Sequence, residues 1–258
     1  MKIRLVSYDC DGTAYLNASH EVLPSTMKAL HMLKQRGVKL LLNTGRAVRE
    51  MERLPKEFLD LADMISADGG ARIQVGNEVS RKILDPASAY AGMKLMAEHN
   101  IVCRWVDVKD QCCLTRWDKD VSDLFYRLYL MRPEVRPWNG EELVQITYYC
   151  DVQNLLDEID DIFSGAVHTH LHIAHEQTAE GTGKDAAVRY ACTYFNIPKE
   201  ETAAIGDGGN DISMLEAAGY GIAMGNGSEQ VKSHADYVTR RIEEDGFYDA
   251  VCHLLEDN

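Results

Sequence analysis

A short apolar run that ends in two carboxylates constrains this chain more than any other feature of its sequence. The segment Ile3-Arg4-Leu5-Val6-Ser7-Tyr8-Asp9-Cys10-Asp11-Gly12-Thr13 reads as a buried strand running out into a tight glycine turn. Asp9 and Asp11 then stand at a strand's carboxyl end, the edge of an open α/β sheet where ligand crevices form. Packing two anionic groups there is costly unless a cation or a reacting phosphoryl group uses them, and a hard divalent metal is the simplest compensation. Taken alone, an Asp-x-Asp pair also fits a solvated turn, so the rest of the chain has to decide.

A second apolar run, Val38 to Asn43, ends in Thr44-Gly45-Arg46, which offers a hydroxyl, a glycine that lets backbone amides approach, and a guanidinium. These are phosphate-binding groups. Lys184 opens a helical stretch, where an ammonium opposes the helix dipole and so calls for an anionic partner. A third short strand, Thr202 to Ile205, leads into Gly206-Asp207-Gly208-Gly209-Asn210-Asp211. Simpler roles exist for each: Thr44 as a helix N-cap, Lys184 as a solvated lysine, Asp207 and Asp211 as turn and capping acids. The two adjacent glycines argue instead for backbone brought close to a ligand.

In order and spacing these four stretches resemble the motifs of the haloacid dehalogenase-like phosphohydrolases, in their Cof-type group with a large cap. The likeness continues through Met214 to Gly219, Ala223 to Gly227, Ala235 to Val238 and Glu244 to Gly246. It implies an α/β fold: a doubly wound parallel sheet as the core, with an inserted α+β cap of the C2 type. It also implies Asp9 as the nucleophile that forms an aspartyl phosphate, and Asp11 as the general acid and then base. Mg²⁺ would lie between the Asp9 carboxylate, the Asp11 backbone carbonyl and the Asp207 carboxylate, with Asp211 supporting it through a water. Thr44, Gly45, Lys184 and Asn210 would hold the phosphoryl oxygens, with Arg46 in support. The chain departs from the family pattern at Ala14-Tyr15, at Asp68-Gly69-Gly70-Ala71 in place of Asn-Gly-Ala, and at Asp185 after the motif lysine. None of these removes a catalytic group.

Between Thr44 and Lys184 lie far more residues than one strand-helix unit needs, so an insertion is expected there. Its entry falls near Ile83-Leu84-Asp85-Pro86 and its exit near Glu180-Gly181-Thr182-Gly183. The expected division is a core of residues 1–83 and 183–258 and a cap of residues 84–182. Within the cap, helices are predicted over Ala87–Asn100, Val121–Met131 and Val152–Phe163. Strands are predicted over Ile101–Val108, Leu143–Tyr149 and Ala166–Ala174. On that last strand His168, His170 and His172 would share a face, which fits a solvated or substrate-facing strand better than a metal site, because no cysteine or carboxylate stands at a ligand spacing.

At 258 residues with a formal charge of −14, the protein repels nucleic acid, so any phosphate chemistry is confined to a local site. No apolar stretch approaches the length of a membrane helix, and no secretory apolar segment follows Lys2 and Arg4. Seven cysteines without small-secreted-domain spacing read as reduced thiols, and the expected location is cytoplasmic. Gly183-Lys184 is not a nucleotide P-loop, since Thr178 replaces its upstream glycine and Asp185 its hydroxyl residue. The expectation is a Mg²⁺-dependent phosphatase acting on a small phosphorylated metabolite such as a sugar phosphate, nucleotide or phosphorylated cofactor. A phosphomutase and a non-catalytic phosphometabolite-binding regulator are the alternatives.

Overall fold

The structure, a computed structural model, describes residues 2–171 and 174–256. In chain order the strands are β1 (Leu5–Tyr8), β2 (Lys39–Asn43), β3 (Met64–Ala67), β4 (Arg72–Val75), β5 (Glu78–Arg81), β6 (Val102–Asp107), β7 (Cys112–Leu114), β8 (Glu134–Val135), β9 (Leu143–Tyr149), β10 (Val167–Leu171), β11 (Ala174–Thr178), β12 (Thr202–Gly206), β13 (Tyr220–Ala223) and β14 (Tyr237–Val238). The helices are α1 (Pro24–Gln35), α2 (Lys56–Leu61), α3 (Pro86–Glu98), α4 (Lys119–Arg127), α5 (Gln153–Ile162), α6 (Lys184–Phe195), α7 (Ile212–Ala217), α8 (Glu229–Ser233) and α9 (Gly246–Glu256).

The larger sheet runs β14-β13-β12-β1-β2-β3-β4-β5, parallel from β14 to β3 and antiparallel at β4 and β5. Its central strands are apolar on both faces because both faces are covered. Val6, Tyr8, Leu40 and Leu42 pack with Leu30 and Leu33 of α1, Phe58 of α2 and Phe247 and Leu254 of α9. The alternate residues Leu5, Leu41 and Ala204 face Ala187, Val188 and Ala191 of α6 and Met214 and Leu215 of α7. This is the doubly wound arrangement. It places β1 between β12 and β2, so the loops after all three strands open at one sheet edge.

The smaller sheet runs β10-β11-β9-β6-β7-β8. One face carries Cys103, Trp105, Ile146 and Tyr148 onto Met93 and Met96 of α3 and Leu156 and Ile159 of α5, with Phe163 just beyond. The helices approach closely there, since a Cβ on Gly92 would strike the Phe163 ring. The chain passes between the sheets twice, and the passages run side by side: Lys82 Nζ donates to Gly181 O at 2.9 Å and Gly183 N to Gly69 O at 3.1 Å. Gly183 has φ of +107° and Gly70 of +90°, and a Cβ on Gly70 would lie 2.5 Å from Gly183 O. The contact therefore depends on glycine.

One expectation needs correction. The stretch read as one strand, Ala166–Ala174, is two: β10 ends at Leu171 and pairs antiparallel with β11, which begins at Ala174. A continuous polar-apolar alternation hides a reversal of direction, because both arms of a hairpin share the same period. The short strands β7 and β8 are also absent from the pattern reading, being only 3 and 2 residues long. His168 is held against α5 and its C-terminal end, its ring nitrogens 2.8 Å from Asp160 Oδ1 and 3.0 Å from Phe163 O. The side chain of His170 and the whole of His172 lie outside the described residues.

Candidate active site

Four loops at the carboxyl edge of the large sheet build the site. Asp9 leaves β1 with its amide donating to Ile205 O at 3.0 Å, so the neighbouring strand β12 fixes where the carboxylate begins. Its side chain is nearly buried and accepts from Lys184 Nζ at 2.6 Å. Lys184, the first residue of α6, also donates to Asp211 Oδ1 at 2.5 Å. Asn43 at the end of β2 secures that helix start, its Nδ2 donating to Lys184 O at 2.8 Å. The other oxygen of Asp211 accepts the amides of Asp207 and Gly208, both at 2.9 Å, which folds the Gly-rich loop after β12 back toward Asp9.

Asp207 is oriented from the opposite side. Thr13 Oγ1 donates to its Oδ1 at 2.9 Å, and Asn226 Nδ2 bridges its Oδ2, at 3.1 Å, to Gly12 O at 2.9 Å. Gly12 has φ of +80°, and a Cβ there would strike Asp207 Oδ2. The glycine after Asp11 is thus required by both conformation and space. Asp9, Asp207 and Asp211 each offer an oxygen within 4.8 Å of the others'. That spacing and the all-oxygen donor set fit a small hard divalent cation such as Mg²⁺. The electrostatics agree. Burial, Asp211 and other nearby carboxylates push Asp9 well above the usual carboxylate range despite Lys184, and burial followed by Asp211 pushes Asp207 up to about 7. Lys184 is penalised by burial too, yet Asp211 and Asp9 outweigh that and hold it above the usual lysine range.

Asp11 faces elsewhere. Arg46 grips it with both forks, Nε to Oδ2 at 2.7 Å and Nη2 to Oδ1 at 2.6 Å, and the same Nη2 reaches Leu128 O at 3.0 Å just beyond α4. Tyr15 lies under the guanidinium, 5.0 Å from ring centroid to Cζ, so the departure from the family pattern after Thr13 supplies the floor for Arg46. Thr44 Oγ1 accepts from Arg46 N at 3.1 Å and fixes the start of that loop.

A cavity of about 890 Å³ opens over these groups, between the large sheet's edge and the second face of the small sheet. Asp9, Asp11, Thr44, Gly45, Arg46, Asp207 and Asn210 line its floor, while Lys184 lines a smaller adjoining cavity of about 420 Å³ with Gly45 and Asn210. All the sequence-predicted site residues therefore come together at one place, Asp211 buried beneath them. Sequence reading missed Thr13 and Asn226 behind Asp207, Asn43 behind Lys184, and the cavity roof of Glu50, Arg104, Thr147, Tyr149 and Glu176. The roof's signal was present, since Arg104 and Thr147 are polar residues flanked by the apolar Cys103, Trp105, Ile146 and Tyr148, as on a strand with one face out of the core.

The fold and this arrangement define a class of protein. The chain matches the family model of the haloacid dehalogenase-like hydrolases over residues 6–251, and it belongs to that family. It is similar to phosphatase YwpJ of Bacillus subtilis (strain 168), 28% identical over 98% of this chain and 100% of that one. It is likewise similar to the 5-amino-6-(5-phospho-D-ribitylamino)uracil phosphatase YcsE of the same organism, 27% identical over 98% of this chain and 96% of that one. Among solved structures, the subclass IIB sugar phosphatase BT4131 superposes with a TM-score of 0.88 at 27% identity, covering 97% of this chain and 98% of that one. Within the family the chain is an enzyme of the phosphoric monoester hydrolase class.

Proposed function

We propose that this phosphoric monoester hydrolase removes phosphate from a small phosphorylated metabolite through an aspartyl phosphate on Asp9, in a Mg²⁺-dependent reaction in the cytoplasm. One observation carries the reading: a nearly buried carboxylate, Asp9, sits beside Lys184 and two further acids at the floor of a cavity sized for a small organic ligand. Free cysteines, Cys10, Cys103, Cys112 and Cys113 buried among them, support the compartment. No helix among the described residues is long and apolar enough to cross a membrane.

In the first step an Asp9 oxygen forms a bond to phosphorus while the ester bond breaks in line, and Asp11 delivers the proton that leaves with the alcohol. In the second, Asp11 takes a proton from water as its oxygen attacks phosphorus, and the Asp9–phosphorus bond breaks to release inorganic phosphate. When Asp11 carries the proton it gives up one of its two Arg46 hydrogen bonds, and the other keeps it aimed, while Lys184 donates to one oxygen of Asp9. Asp9, Asp207 and the Asp11 backbone carbonyl would hold Mg²⁺, with Asp211 in support, and its charge would offset that of the transferring phosphoryl group. Thr44, Gly45, Lys184 and Asn210 bind the phosphoryl oxygens. Residues 84–182 act as the cap over a core of residues 1–83 and 183–258.

The test is inorganic phosphate release from a panel of phosphorylated metabolites and p-nitrophenyl phosphate, with and without Mg²⁺. Turnover that needs the metal supports the reading. No release from any ester, or isomerised sugar phosphate in place of free phosphate, contradicts it.

A further inference from the structure

The cavity roof has an ordered chemistry that the phosphoryl-transfer steps do not use. Register across the small sheet sets Arg104 beside Thr147 and Thr147 beside Glu176, one polar row over three adjacent strands, β6, β9 and β11. All three line the cavity above Asp9. Glu176 is 9% exposed, and its Oε2 lies 3.8 Å from where a Cβ on Gly45 would stand, so it overhangs the phosphate-binding loop. Thr147 is 3% exposed, and its hydroxyl lies near enough to Glu176 to favour the ionised carboxylate without completing a hydrogen bond in this geometry. Glu176 thus borders the cavity over the phosphate-binding loop, with the buried Thr147 hydroxyl behind it.

Two arginines of the wall, Arg46 and Arg104, are already committed, and Arg127 stands exposed on α4 at the cavity's side. Arg46 is bound by Asp11, and Arg104 donates to Glu50 Oε1 at 2.7 Å and to Gln145 Oε1 at 2.5 Å. Arg127 lines the cavity with Asp120 and Asp123 of its own helix. Among the described residues no cation forms a salt bridge with Glu176. At Glu176 the cavity roof thus presents an acceptor with negative charge. A desolvated carboxylate is costly until a donor meets it, and a second anion placed against it adds repulsion.

We propose that Glu176, backed by Thr147, selects phosphate monoesters whose leaving group carries ammonium or hydroxyl donors, and rejects those that set a second anionic group against it. The inference rests on the phosphatase reading of the same site. Burial raises the Glu176 pKa to about 6, with Arg104 opposing and Glu50 adding to the rise, so the group is mostly ionised at neutral pH.

The experiment measures competition against p-nitrophenyl phosphate hydrolysis by three pyranose 1-phosphates of one shape: glucosamine 1-phosphate, glucose 1-phosphate and glucuronic acid 1-phosphate. The amine is expected to compete about tenfold or more better than the carboxylate, the worth of one hydrogen bond to a charged group, with the neutral sugar between. The near-isosteric Glu176→Gln variant should bring that ratio toward one, whereas loss of fold would weaken all three alike and leave the ratio standing. Equal competition by amine and carboxylate in the wild type, or an unchanged ratio in a Glu176→Gln variant that keeps the wild-type melting temperature, overturns the proposal. Absence of any p-nitrophenyl phosphate turnover with Mg²⁺ instead overturns the phosphatase reading, and this inference with it.

Discussion

Asp68→Asn should stabilise the protein at neutral and alkaline pH, and much less so as pH falls toward 4. Asp68 is fully buried after β3, and neither of its carboxylate oxygens has a hydrogen-bond partner among the described residues. Burial raises its pKa from 3.8 to about 7, with Arg104 and Arg72 opposing the rise and Glu50 and Asp110 adding to it. The folded state therefore keeps a proton that the unfolded chain releases. Stability from this group is complete below pH 3.8 and is lost as pH rises through about 7. The full shift corresponds to about 4 kcal/mol, and relaxation around a buried charge cuts that to about 2 kcal/mol. Asparagine keeps the shape, never ionises, and tolerates the left-handed backbone at this position, where φ is +52°. Melting the two proteins side by side at pH 5 and pH 8 isolates the effect, because every other titrating group is common to both. The variant's advantage at pH 5 should be less than half its size at pH 8, where it should be about 4–8 °C. A gap of the same size at both pH values, or a variant less stable at pH 8, would refute the reasoning.

Asp9→Asn should lower kcat by about 10⁴-fold or more, and a rapid-quench search for acid-stable phosphoprotein should find none, whereas activity within tenfold of wild type would remove Asp9 from the nucleophile's role. Asp11→Asn should slow both formation and breakdown of the phosphoenzyme, read by single-turnover kinetics, and unchanged rates for both steps would dismiss the acid/base assignment. Chelation with EDTA should abolish turnover and Mg²⁺ restore it; the cation should also raise Tm, because Asp9 and Asp207 hold raised pKa values among clustered acids. Gly92→Ala should cost about 1–3 kcal/mol by forcing α3 off the Phe163 ring, measured by urea unfolding, and an unchanged midpoint would mean the two elements part freely.

The sequence alone determined the core architecture and the floor of the site. Apolar runs ending in Asp9, Thr44 and Asp207 are legible because a strand covered on both faces must be continuously apolar, and its carboxyl end must turn where the ligand sits. Glycines at 12 and 70 carry their own signal, since each takes a positive φ that few other residues adopt. What the tertiary structure decided is partnership. The pairing of Arg46 with Asp11, where the sequence suggested a phosphate ligand, joins residues 35 positions apart through a loop whose conformation no local pattern encodes. Thr13 and Asn226 meet Asp207 across 194 and 19 residues, and the row of Arg104, Thr147 and Glu176 exists only once three strands take one register. Periodicity tells which residues share a face of their own strand; only strand pairing, set by the whole sheet's packing, tells which residues of different strands stand side by side.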